Sequence, residues 1–353
     1  MMNTAPVEKI ANAVLYEGYI LYPYRASAVK NRQRFNFGVV YPRLYSVAKA
    51  DGDAWTTQTE CPVEGDARIQ LDVKARFLQL ASRAVAKPLV AAAVRPGGDL
   101  AEFNRMSSFG TGQETCASCQ EAVEREIAVS GLELAELTRK PLRREFRFAA
   151  EEKLETLRDT QGNVAGLIIR RQREIAGAVE VAAKRERGNC FRVTVRLVNL
   201  SSIESDQSRD EALLQSMISA HTVLCVKGGA FVSLLDPPEP FKELAASCRN
   251  FGTYPVLTGE EGRRDTMLSS PIILYDYPQV APESAGDFFD GTEIDEMLAL
   301  RVMTLTDDEK REIRHGDERA RRILEITEAL PPEHLMKLHG ALRGLSAAPK
   351  PEI

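Results

Sequence analysis

Residues 69–77 alternate without a break. Ile69, Leu71, Val73, Ala75 and Phe77 are apolar, and Gln70, Asp72, Lys74 and Arg76 between them are polar. Successive side chains of a strand point to opposite faces, so this period of two predicts a strand with one buried face. Phe191, Val193, Val195 and Leu197 repeat the pattern against Arg192, Thr194 and Arg196. Shorter candidate strands cover 14–22, 35–45, 144–148, 166–171 and 178–183. Gly188-Asn189 predicts a hairpin turn between the last of these and the Phe191 strand. Amphipathic strands with polar outer faces point to antiparallel sheets packed as a sandwich. Two interruptions break the series. Residues 96–118 are rich in Gly and Ser and read as a long loop. Residues 120–139 carry scattered apolar positions among charges and read as one or two short helices.

The pattern changes near residue 200. Ser208 followed by Glu211 is a capping box that opens a helix through about residue 219. Strands are expected at 221–226 and 231–235, a short helix at 241–248, and an apolar strand at 272–275 after Ser270-Pro271. From about 291 the apolar positions recur at helical spacing, and Thr306 with Glu309 forms a second capping box. Together these predict an α+β protein with an antiparallel β-sandwich-like N-terminal part and a helical C-terminal part. The sandwich-like domain spans 10–200, with a loop and helix insertion at about 96–139. A mixed α/β segment at 201–346 ends in helices, and 347–353 is a disordered tail.

Composition narrows the function classes. The chain has 353 residues, 44% hydrophobic and 27% charged, with 46 basic against 51 acidic residues and a net charge of -5. A protein that relies on phosphate contacts is usually basic, so nucleic acid is not the expected partner. No run approaches the roughly 18 apolar residues of a membrane-spanning helix. No secretory signal is visible at 1–11. Six cysteines are too sparse for a disulfide scaffold. The expected compartment is the cytoplasm.

Candidate chemistry is thin. Cys116 and Cys119 form a CxxC pair, a spacing that suits a metal or a redox disulfide. No further pair of ligands follows nearby, so it is a weak metal candidate and no cofactor is expected. His221 opens an apolar strand, where a buried imidazole can act as a general base. Residues 21–50 hold six basic and no acidic residues, with Tyr22, Tyr24, Phe35, Phe37, Tyr41 and Tyr45 interleaved. That is the pattern of a single-stranded nucleic-acid surface, or of a strand pair with solvated charges. Residues 266–300 are the counterpart, with seven carboxylates and no Lys or Arg. Tyr275, Tyr277, Phe288 and Phe289 lie there beside Asp287 and Asp290. Rings set among charges of one sign suit a partner-binding surface. The segment equally fits a groove filler with solvated carboxylates; the alternative function is a metal-dependent or hydrolytic enzyme that uses His221 or the acidic cluster at 276–296.

Five stretches carry a family resemblance: YEGYILYPYRASAVKN at 16–31, SRDEALL at 208–214, GAFVSLLDPP at 229–238, RDTMLSSPIILYDYP at 264–278 and DGTEIDE at 290–296. They resemble a bacterial accessory-protein family encoded in gene clusters for NiFe hydrogenases of the high-affinity, actinobacterial type. The resemblance implies a non-catalytic accessory or assembly factor that binds a hydrogenase subunit or maturation protein. It brings no catalytic residues.

Overall fold

The computed structural model describes residues 5–17, 36–49, 53–88, 103–106, 108–111, 114–159, 161–204, 206–279 and 305–314, with a few positions up to 329. Its organising element is β1, Thr56–Pro88, a strand of 33 residues. At about 3.3 Å per residue a straight strand of that length would extend roughly 110 Å. It bends instead. Its register with β11 (Ile218–Phe231) breaks between Gly65 and Gln70 and again between Arg76 and Leu78. Gly65 permits the first break. Its φ is +151, and a Cβ there would lie 2.8 Å from Ile69 and 2.9 Å from the Gly228 carbonyl oxygen.

Both edges of β1 are used along its length. Residues 56–64 pair with β10 (Cys190–Asn199), and residues 70–83 pair with β5 (Cys119–Glu133). The opposite edge takes β11 and then β8 (Val164–Gln172). The hairpins β7 (Glu151–Arg158) with β8, and β9 (Ile175–Arg185) with β10, extend the sheet, and β6 (Leu142–Phe148) adds to β9. The far end of β1 takes β2 (Phe103–Met106). Beyond β11 lie β13 (Thr266–Ser270) and β12 (Tyr254–Leu257). Among the described residues the result is one antiparallel sheet of eleven strands, with β3 (Ser108–Thr111) and β4 (Glu114–Ala117) forming a separate pair.

This sheet curls into a half-barrel, and its concave face holds the main core. The predicted apolar positions of β1 and β10 all point inward there, with Val179 and Val181 of β9, Leu224 and Val226 of β11, and Leu134 and Leu137 of a short helix, Leu134–Leu137. Phe77 is fully buried and packs on Phe146 and Phe148 at centroid distances of 6.1 and 6.0 Å. The convex face is covered in patches. Helix α1, Ala5–Glu17, lays Val7, Ile10, Ala11 and Val14 against Val223 and Leu268. Leu78 and Leu80 face Tyr41, Tyr45, Leu213, Leu305 and Ile313.

The expected α+β architecture is therefore corrected. Among the described residues strand outweighs helix by 52% to 18%, and the sheet is a single curled one rather than a sandwich; the helices expected from 291 to 306, most of those expected up to about 345 and the tail at 347–353 lie outside the described residues. Past residue 286, the one helix among the described residues with a defined span is Asp307–Arg314. The strands at 218–231, 254–257 and 266–270 belong to the same sheet as β1, so the described residues 206–279 are not a helical layer.

Local readings divide the same way. The Gly188 turn and the Ser208–Glu211 capping box are present, although that helix is only Arg209–Leu213. The described residues of the segment read as a loop and helices at 96–139 contribute β2 to β5, and of the expected helices one turn forms, Leu134–Leu137. Its charges satisfied the look of a helix face but pair across strands: Glu121 meets Arg83 and Arg170, and Glu124 meets Arg76. The strand expected at 14–22 is helix α1 as far as Glu17, because residues 7, 10, 11 and 14 form a stripe of helical period. The strand expected at 35–45 reduces to one bridge, Val40 with Met217, followed by helix Arg43–Ala48. No helix among the described residues is long and apolar enough to cross a membrane.

Candidate functional site

The strand expected at 272–275 does not form. β13 ends at Ser270, and Pro271, lacking an N–H, opens an irregular strap instead. The strap is tied down along its length. Pro271 packs against the backbone of Gly38, whose φ is +58 and where a Cβ would come within 2.4 Å of the Pro271 ring. Ile272 and Leu274 pack on the cluster under α1. Asp276 accepts two hydrogen bonds, from the Ser233 hydroxyl at 2.5 Å and the Leu257 N–H at 2.7 Å. Tyr277 packs against the main core and donates its N–H to the Leu257 carbonyl at 2.7 Å. Burial and the neighbouring Asp276 carboxylate push its phenol above the usual range.

Between these anchors two large side chains face solvent. Ile273 is 73% exposed and Tyr275 86%. Leu235, also exposed, lies on the turn that Ser233 caps by accepting from the Leu235 and Asp236 N–H groups. Ser233 therefore joins that turn to Asp276, so the apolar residues Leu235, Ile273 and Tyr275 are carried by one hydrogen-bonded unit.

The sequence candidates separate in space. Tyr275 and Tyr277 share the strap, one outward and one inward. Asp287, Phe288, Phe289 and Asp290 lie outside the described residues. Cys119 begins β5 opposite Arg83 of β1, while Cys116 sits on β4 opposite Phe109. Among the described residues no group of three or more His, Cys, Asp or Glu side chains is arranged to hold a metal. Most of the basic segment at 21–50 is also outside the description. Of its six cations Arg43 and Lys49 are described, and Arg43 stacks over the Trp55 ring at 4.9 Å.

His221 lies elsewhere, on the convex face of β11 beneath α1. It is 1% exposed and pairs in register with Arg76. Its Nδ1 is 3.0 Å from the Ser219 carbonyl oxygen, and among the described residues Nε2 has no partner. Burial, the main cause, pulls its pKa down to about 4, with the Arg76 charge acting in the same direction. A neutral imidazole sealed from solvent has no visible route to a substrate. Of the acidic cluster at 276–296, Asp276 is the described carboxylate, and it is engaged with Ser233 and Leu257.

The residues that sequence reading missed lie on the convex face of β1, β10, β9 and β6, around Arg196 and Trp55. Their sequence signal is modest: Arg192 and Arg196 occupy outward positions of an alternating strand, and the chain has one tryptophan. The chain matches no protein-family model, no curated protein and no solved structure.

Proposed function

We propose that this protein is a non-catalytic accessory or assembly factor that works by binding another protein in the cytoplasm, and that its partner is a NiFe-hydrogenase subunit or maturation protein. The partner class comes from the resemblance of the five sequence stretches. The binding mode is supported by one structural observation: the strap holds Tyr275 and Ile273 out to solvent while anchoring the residues on either side of them. Interfaces draw most of their affinity from a few large side chains, Tyr prominent among them, and a pre-ordered backbone lowers the entropic cost of docking. The carboxylates that follow in sequence favour a partner with a basic rim.

The test is affinity capture from cells producing a NiFe hydrogenase, using the full chain and the variant Ile273→Ser with Tyr275→Ala. Wild type is expected to retain a hydrogenase subunit or maturation protein, and the variant to lose it at unchanged melting temperature. Capture that survives in the variant, or wild type that retains no hydrogenase component, rejects the proposal.

A further inference from the structure

The cross-strand register places five residues in one row on the convex face. Phe251 bridges Gln58 of β1, Gln58 pairs with Arg196 of β10, Arg196 with Glu180 of β9, and Glu180 with Arg143 of β6. Neighbouring strands lie about 4.8 Å apart, so the row forms a floor roughly 19 Å across. Together with Trp55, Arg43, Arg249 and Leu200 the row lines a half-open cleft of about 580 Å³. That volume is in the range of small-molecule sites, roughly 300–1,000 Å³.

The floor is held in place. Gln58 and Phe251 exchange backbone hydrogen bonds at 2.9 Å, and the Gln58 side chain donates to the Arg249 carbonyl at 2.9 Å. Glu60 accepts from the Arg249 N–H at 2.8 Å, which fixes the backbone of the segment carrying Arg249 and Phe251. Arg196 is aimed by its Nε donating to Gln58 Oε1 at 2.7 Å. Arg143 is the cation that Glu180 neutralises, at 2.6 Å. Among the described residues Arg43, Arg196 and Arg249 have no carboxylate partner.

The cleft thus combines four guanidinium groups with one carboxylate, on a chain whose net charge is -5. Like charges gathered around a concavity repel one another and attract an anion. Guanidinium groups bind phosphate oxygens through paired donors in a planar fork. Arg43 stacks over the Trp55 ring, and the exposed Phe251 adds flat apolar surface on which an aromatic ring can stack.

We infer that this cleft is a binding site for a nucleoside polyphosphate, with the arginines taking the phosphates and the Phe251 ring, which lines the cleft together with Trp55, taking the base. The protein reports on the site itself, because Trp55 is its single tryptophan. The experiment titrates the full chain with ATP, with inorganic tripolyphosphate and with adenosine, reading tryptophan emission and, in parallel, calorimetric heat. ATP is expected to saturate with a dissociation constant of roughly 100 μM or tighter. Tripolyphosphate and adenosine should each bind at least about tenfold more weakly, because each offers half of the contacts. The variant Arg196→Ala with Arg249→Ala should lose at least about tenfold in ATP affinity at unchanged melting temperature, and raised salt should weaken the wild type. Absence of saturable binding in both readouts overturns the inference, as does equal ATP affinity in the variant. Adenosine as good as ATP would also overturn it. So would an oligonucleotide that binds far more tightly than ATP with affinity rising with its length, which would make the face a single-strand surface.

Discussion

Arg76 and His221 stand opposite each other on β1 and β11, 5% and 1% exposed, and α1 covers both with opposite consequences. Arg76 is fully provided for. It donates to Asn12 Oδ1 at 2.8 Å and lies 3.4 Å from Glu8, both on α1, and 3.3 Å from Glu124 on β5. His221 lies under the same helix with one ring nitrogen bonded within its own strand. A permanent cation and a base held neutral thus share one covered site, and the cation helps to keep the base neutral.

Stability should consequently fall in mildly acid solution through His221. Its pKa is about 4 in the folded protein, against an ordinary value of 6.5. The groups facing it are Arg76 on β1, Glu8 on α1 and Glu124 on β5, with Ser219 on its own strand. Between these pKa values the unfolded chain binds a proton that the folded chain refuses, so stability drops as pH falls. The penalty is absent above about pH 7 and reaches about 3 kcal/mol near pH 4. Urea titrations of wild type and His221→Gln from pH 7 to 4.5 measure it. The wild type should lose more, by about 2 kcal/mol at pH 5. Parallel curves for the two proteins would show that the imidazole is not held neutral.

Removing the cation tests the other half of the pair. Arg76→Met keeps much of the apolar stem and deletes the bonds to Asn12, Glu8 and Glu124. These two carboxylates and Glu126, 3.9 Å away, are 35–47% exposed and stay hydrated, so the cost should be below that of a fully buried pair, about 2–3 kcal/mol. Glu8 also meets Lys74 at 2.8 Å, so α1 keeps one tether. Limited proteolysis should nevertheless cut near α1 sooner than in wild type. An unchanged denaturation midpoint would mean that α1 is held by its apolar stripe alone.

What could be read in the sequence was what depends on neighbours along the chain. The alternation at Ile69–Phe77 and Phe191–Leu197 comes from burial of one face of each strand, and the Ser208–Glu211 box is a contact between residues three apart. β5 was illegible because Glu121, Glu124 and Glu126 owe their place to Arg83, Arg170 and Arg76, which are distant in sequence. The convex cleft was harder still, since Gln58, Arg143, Glu180, Arg196 and Phe251 meet only through the register of four strands and a bridge. The setting of Tyr275 among carboxylates is visible in the sequence, but the strap's irregular path is not. The apolar run Ile272–Leu274 fits a strand or a strap, and Asp276 with its two bonds, invisible in the pattern, fixes the irregular path.

Asp276 gives the last prediction. Its Oδ1 receives the Leu257 N–H, and Leu257 is 3% exposed, so Asp276→Ala leaves a buried donor unpaired. It also frees the Ser233 hydroxyl and with it the link between the strap and the turn carrying Leu235. The expected loss of stability is about 1–3 kcal/mol, read from denaturant midpoints. Asp276→Asn retains an acceptor for Leu257. Ser233 already accepts from two N–H groups, so the new amide donor meets a nearly satisfied oxygen, and the variant should fall between wild type and alanine. If the strap matters because it presents Tyr275, partner capture should decline in the same order while the strands of the half-barrel stay folded. Capture by Asp276→Ala equal to wild type, together with the stability loss, would confine Asp276 to holding the fold and would detach the binding surface from the strap's fixed geometry.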